Sequence, residues 1–115
     1  MTPSAQIEQD IASVARKRAM LRSARIQAMR RRAKLLAHAE DWVRLAAAAP
    51  SDDVRSHHQE LADAARHASA AEDSELATLD EEESDLVAKE ARLKSALIAA
   101  IRSERAEART RSSQG

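Results

Sequence analysis

The chain has 115 residues, of which 33% are charged and 1% are aromatic, and its formal net charge at pH 7 is zero. This length supplies one domain at most, and 27 Ala with a single Trp and no Phe or Tyr exclude a thick globular core. One Gly and two Pro leave too little turn-forming sequence for a β-sheet. The composition is typical of long helices that pair as a coiled coil.

The first predicted element is a helix over residues 4–49. Pro3 is favoured in a first helical turn, and no further Gly or Pro occurs before Pro50. Pro50 cannot continue the helix, whereas Ser51 can cap the N-terminus of a second one, so the sequence predicts a turn at residues 50–52. A second helix is predicted over residues 53–109, with a frayed tail at 110–115. The prediction is an all-α single domain, an antiparallel coiled-coil hairpin of two long helices.

Both predicted helices carry apolar residues at the a and d positions of a seven-residue repeat, which is the pattern of a coiled-coil seam. The d positions are Ile7, Val14, Leu21, Ala28, Leu35, Trp42 and Ala49 in the first helix and Leu79, Leu86, Leu93 and Ala100 in the second. Charge interrupts both seams, with Arg18 and Arg25 at a positions of the first helix and Glu83 and Glu90 at a positions of the second. Opposite charges on facing helices offset the cost of burying either one, so these four residues are predicted to form the ion pairs of the hairpin.

The charge distribution predicts the register of the pairing. Residues 16–34 contain nine Arg or Lys and no acid, whereas residues 72–85 contain eight Asp or Glu and no base. An antiparallel register in which facing residue numbers sum to about 104 superimposes these two blocks and keeps both seams in contact. In that register Arg18 or Arg25 reaches diagonally to Glu83. The acidic block therefore favours an ion-paired face over a phosphate-binding one, and we expect no nucleic-acid partner.

The sequence also contains more large apolar residues than one seam uses. Candidate partner-binding residues, at helical spacing outside the seam, are Ile26, Met29, Leu36 and Val43 in the first helix and Val87, Ile98 and Ile101 in the second. One interpretation is a broad stripe partly covered by Arg and Lys stems. The other is a docking face, either for another helical protein or for a second copy of the hairpin, which would form a homodimeric four-helix bundle.

The remaining features favour no catalytic or cofactor chemistry. The four His lack the spacing and the additional ligands of a metal site, and no nucleophile-base pair or Gly-rich phosphate loop is present. We therefore expect no enzyme activity, no cofactor and no small-molecule substrate. Without Cys, an apolar leader or a long apolar run, the expectation is a cytoplasmic protein that does not insert into a membrane. The d position of Trp42 predicts burial against Ala62 and Ala65, with a role in a partner interface as the alternative.

Two features of the chain are shared with a known class of proteins. One is the pair of uninterrupted helices around Ala49-Pro50-Ser51-Asp52, and the other is the set of charged heptad positions, namely Arg18, Arg25, Arg32, Glu83 and Glu90. In architecture the chain resembles the coiled-coil stalk proteins of type III secretion and flagellar export, the YscO/FliJ class. This resemblance implies a cytoplasmic protein that contacts the export ATPase and escorts secretion components. It rests on architecture and implies no specific contact residues.

Overall fold

The computed structural model describes residues 1–114, and over that range it contains two α-helices and no strand. Helix α1 spans Pro3–Ala47 and helix α2 spans Asp52–Gln114. The predicted all-α helical hairpin is thereby confirmed. The chain reverses over residues 48–51, slightly earlier than the predicted turn at 50–52.

Helix α1 is capped at the residue before its proline. The hydroxyl of Thr2 accepts a hydrogen bond from the backbone N–H of Ala5 at 3.2 Å, and the Thr2 carbonyl accepts one from Gln6 at 3.1 Å. Pro3 occupies the first helical position, where its missing N–H removes no helical hydrogen bond.

The reversal follows from the chemistry of Pro50 and Ser51. The residue before a proline is disfavoured in the α conformation, so α1 ends at Ala47, two residues before the predicted end. The last turn tightens there, because the N–H of Ala49 bonds to the carbonyl of Ala46 at 3.2 Å. Helix α2 then begins at Asp52, with the Ser51 hydroxyl accepting a hydrogen bond from the Val54 N–H at 3.3 Å. The predicted Ser51 cap is confirmed.

Helix α2 continues to Gln114, so its predicted end at residue 109 is wrong, while the fraying of residues 110–115 stays a prediction. Neither Gly nor Pro interrupts residues 110–114, and the Thr110 hydroxyl donates to the Ala106 carbonyl at 3.0 Å, one turn back in the same helix. Gly115, the last residue of the predicted tail, lies outside the described residues.

Contacts between the two helices divide the hairpin into two compact units. The terminal unit consists of Met1–Leu21 and the chain from Glu82 onward, and the turn unit consists of Arg22–Glu81. The prediction that the whole chain is one domain stays a prediction.

The turn unit has a core made of small side chains. Ala28, Ala39, Ala46, Ala62 and Ser69 are at most 4% exposed. Side chains of this size let two helix backbones approach closely, but they bury little apolar area per residue. The turn unit therefore gains close packing along its seam, where its larger side chains Leu35, Leu76 and Leu79 are half-buried.

The terminal unit has a core of larger aliphatic residues. Among its described residues Val14 is the one fully buried side chain, at 1% exposure, and the half-buried large aliphatic residues at its seam are Ile7, Ile11, Leu21, Leu86, Leu93 and Leu97. All of these lie at predicted a or d positions. The predicted heptad phase is thereby confirmed in this unit.

The antiparallel register agrees with the prediction in each unit. In the terminal unit Ser4 contacts Glu104, a pair whose residue numbers sum to 108. In the turn unit Arg25 contacts Asp80, a pair whose residue numbers sum to 105. These values lie within about one helical turn of the predicted sum of 104.

Candidate interaction surface

Arg18 joins the two helices in the terminal unit. Its guanidinium donates to Glu83 Oε1 from Nε at 3.2 Å and from Nη2 at 3.1 Å, and to Glu90 Oε2 from Nη1 at 2.9 Å. Lys94 holds the other oxygen of Glu90 at 2.8 Å. These contacts confirm the predicted ion pairing of Arg18, Glu83 and Glu90. The three side chains lie at the seam and are 18–30% exposed, so water still reaches the cluster in part.

The cluster lowers the pKa of Glu90. Hydrogen bonds from Lys94 and then from Arg18 hold the pKa of Glu90 below its ordinary value. The pKa of Arg18 is raised by its hydrogen bonds to Glu90 and Glu83. Since the folded-state pKa of Glu90 is depressed, its contribution to stability is present above the unfolded value and is lost as the pH falls through the folded value.

Arg25 contacts a different acid from the one predicted. Its Nε lies 2.9 Å from Asp80 Oδ1, and both side chains are more than half exposed. Arg25 thus pairs across the hairpin with Asp80, while Glu83, the acid expected to pair with Arg18 or Arg25, is bound by Arg18. In this register Asp80 is almost directly opposite Arg25, so the arginine needs no diagonal reach.

Two further arginines bind the acidic block in the turn unit, and neither was singled out as a pairing residue from the sequence. Arg31 donates to Glu72 at 2.9 Å and to Glu75 at 3.0 Å, while Arg32 lies 2.5 Å from Asp73. The hydrogen bond from Arg31 lowers the pKa of Glu72. With these pairs, basic residues of the block 16–34 are matched to acids of the block 72–85 within the same chain.

Glu104 is a contact that the sequence analysis missed. Its two carboxylate oxygens accept hydrogen bonds from the Ser4 backbone N–H at 3.1 Å and from the Ser4 hydroxyl at 2.7 Å. These bonds lower the pKa of Glu104, and they place a negative charge at the positive end of α1. The sequence did contain a signal for this contact, because the first turn of α1 has N–H groups without a helical partner and Glu104 lies at a seam position of α2.

The predicted docking residues of α1 are exposed in the turn unit. Ile26 is 50% exposed, Met29 48%, Leu36 36% and Val43 44%, although α1 already packs against α2 along its seam. Together with Ala33 and Ala47 these residues recur at spacings of three, four and seven, and we call this set the α1 row. Open grooves flank it, and the one lined by Leu36, Ala39, Glu40, Val43, Arg44 and Arg66 has a volume of about 440 Å³.

The predicted docking residues of α2 lie in the terminal unit, and their exposure varies more than that of the α1 residues. Val87 is 45% exposed and Ile98 is 53% exposed, but Ile101 is half-buried. Ile101 follows the seam residue Ala100, whose small side chain lets its neighbour turn partly inward. We call Val87, Ala91, Ile98 and Ile101 the α2 row.

A further apolar surface of the terminal unit was not predicted. Met20 is 72% exposed and borders a groove of about 370 Å³, which is lined by Lys17, Met20, Leu21, Glu82, Asp85 and Leu86. Met20 lies outside both the seam and the α1 row, so its position in the seven-residue repeat gave no signal.

Trp42 is half-buried, not enclosed by the seam as predicted. Its ring centroid lies 5.3 Å from that of His58, with the planes tilted by 35°. Ala62 is buried in the seam of the same unit and Ala65 is half-buried. Nδ1 of His58 is buried and has no hydrogen-bond partner among the described residues. The Trp42 indole and the His58 imidazole therefore form a tilted pair in the turn unit.

Comparison of the chain with protein-family models, with curated proteins and with solved structures gives no match. Among residues 1–114, neither helix contains a stretch apolar enough to cross a membrane. Over the same residues, no three His, Cys, Asp or Glu side chains are grouped so that they could hold a metal ion.

Proposed function

We propose that this chain is a non-enzymatic coiled-coil interaction protein that binds an α-helix of another protein through the α1 row. One observation carries the proposal: four large apolar side chains at helical spacing remain 36–50% exposed on a helix that is already paired along another face. A partner helix that buries such a row recovers apolar area that the hairpin leaves in water.

The more specific proposal is a stalk or escort component of a type III secretion or flagellar export system, located in the cytoplasm. Its support is the architectural resemblance together with the ion-paired helical hairpin. A protein of this kind binds other secretion proteins and needs no cofactor.

Binding to nucleic acid is the less favoured alternative. Arg18, Arg25, Arg31 and Arg32 already engage acids of the same chain, so contact with phosphates would have to displace these pairs.

The test uses the purified export ATPase from the same organism's type III or flagellar system. We expect it to bind the hairpin, and we expect Leu36→Glu or Val43→Glu to abolish binding because each places a charge in the apolar row. Ala37→Glu is the matched control, since Ala37 is exposed on α1 outside the row. Equal loss of binding in the control would contradict docking through the row, and an ATPase that does not bind would contradict the secretion assignment.

A further inference from the structure

We infer that the α1 row of one copy docks on the α2 row of a second copy, in a parallel register that aligns each α1 residue with the α2 residue 65 positions later. This inference rests on the proposed function in using the same α1 row: in the absence of the partner protein, a second copy occupies that row. Each row is described within its own unit, the α1 row in the turn unit and the α2 row in the terminal unit.

The spacing of the two rows is the same. Along α1 the face runs through Ile26, Met29, Ala33, Leu36, Glu40, Val43 and Ala47, and along α2 it runs through Val87, Ala91, Lys94, Ile98, Ile101, Arg105 and Ala108. Both sets alternate steps of three and four residues, which is the spacing that lets two helices interdigitate over many turns. The α1 face extends over about 32 Å at 1.5 Å per residue.

The side-chain sizes are complementary in this register. Ile26 faces Ala91 of the second copy, and Ala33 faces Ile98, so a large side chain meets a small one in each case. Val43 likewise faces Ala108. Alternation of large and small residues across facing positions fills the space between two helices without clashes.

The charges are complementary as well. Glu40 interrupts the α1 face and Arg105 interrupts the α2 face, and the register places them opposite each other. Both are exposed, and neither has an ion-pair partner among the described residues 1–114. Lys94, the other charge on the α2 face, is already held by Glu90 at 2.8 Å, which leaves its aliphatic stem to cover Met29.

Neighbouring registers fit less well. A shift of one heptad in one direction places Glu40 against Ile98, and a shift in the other places Arg22 against Lys94. Packing α1 against α1 of a second copy pairs Glu40 with Arg22, which already has an interaction within the chain, and leaves the α2 row uncovered. At the offset of 65 the α1 row from Ile26 to Val43 packs against the α2 face from Ala91 to Ala108, and Glu40 meets Arg105, while Val87 lies opposite the stem of Arg22.

The contact is tested by reversing the charge at position 40 or at position 105 and then mixing the two variants. Sedimentation velocity measures the mass of each sample from low to high micromolar concentration. We expect the unmodified chain to self-associate and Glu40→Arg or Arg105→Glu to weaken association by more than about tenfold, because each brings like charges together. Mixing the two variants should restore association, since the arginine introduced at position 40 of one copy then meets the glutamate introduced at position 105 of the other. Glu60→Arg and Arg109→Glu are the controls, because they make the same charge changes at exposed positions outside both faces.

A chain that stays monomeric at high micromolar concentration would overturn the inference, as would association that the exchange variants leave unchanged or that mixing fails to restore. Circular dichroism of each variant separates loss of contact from loss of helix. Self-association and binding of the export ATPase are separate measurements. A monomer that still binds the ATPase through Leu36 would refute the self-contact alone, whereas a chain that binds no ATPase even at concentrations where it is monomeric would refute the secretion assignment alone.

Discussion

Val14 gives the sharpest test of the seam. It is the one large side chain below 2% exposure, at 1%, and Val14→Ala removes two methyl groups from a position that water does not reach. Transfer alone predicts a loss of about 1.6 kcal/mol, at about 0.8 kcal/mol per methylene equivalent. The residual cavity raises the expected loss to roughly 2–3 kcal/mol if the neighbours relax only partly.

The matched control is Val54→Ala, because Val54 is 36% exposed and lies outside both rows. The gain in helix propensity from Val to Ala is larger at Val14 in the helix interior than at Val54 in the first turn of α2, so a larger loss of stability at Val14 reports burial. Chemical denaturation at low protein concentration gives the free energies of unfolding. A loss of about 2 kcal/mol corresponds to a fall in Tm of roughly 8 °C for a chain of this length. Equal effects of the two changes would refute the seam as the source of stability in the terminal unit.

Three further predictions concern the contacts between and within the helices. Arg18→Glu should lower the Tm, and changing both Glu83 and Glu90 to Arg in the same chain should recover part of the loss; simply additive melting temperatures would contradict the pairing. Ser51→Ala should cost about 1 kcal/mol in urea denaturation because it removes the cap of α2, while Ser51→Asp should retain most of the stability. Because the folded-state pKa of Glu90 is depressed, stability should be constant near neutral pH and should fall as acid takes the pH below about 4.5, whereas Glu90→Gln should weaken that dependence in thermal melts.

The sequence predicted the helices and the seam because both depend on periodic patterns. Pro50 ends one helix and Ser51 caps the next, and both effects depend on the local backbone alone. The heptad spacing places Val14 and Ala28 on the side of α1 that packs against α2. The charge blocks then select one register among those that the spacing allows. The turn, the heptad spacing and the charge blocks each involve several residues, so the predicted hairpin and its register do not depend on any single side chain.

Individual side-chain partners were less predictable. An arginine can reach acids in more than one turn of a facing helix, so the register alone did not separate Asp80 from Glu83 as the partner of Arg25. The degree of exposure was similarly hard to predict for residues beside the seam. Ile101 is half-buried although its position in the repeat matches that of exposed Val87, because burial there depends on the size of its neighbours.

Contact between copies requires the α1 row of one chain and the α2 row of another to be the two halves of one interface. The chain contains no Cys, so single introduced thiols can report that contact without background. The decisive measurement is the rate of disulfide formation in an equimolar mixture of Ala33→Cys and Ile98→Cys chains, compared with each variant alone. The proposed register predicts that the mixed disulfide forms fastest. Homodisulfides of Ala33→Cys that form as fast as the mixed species would contradict it.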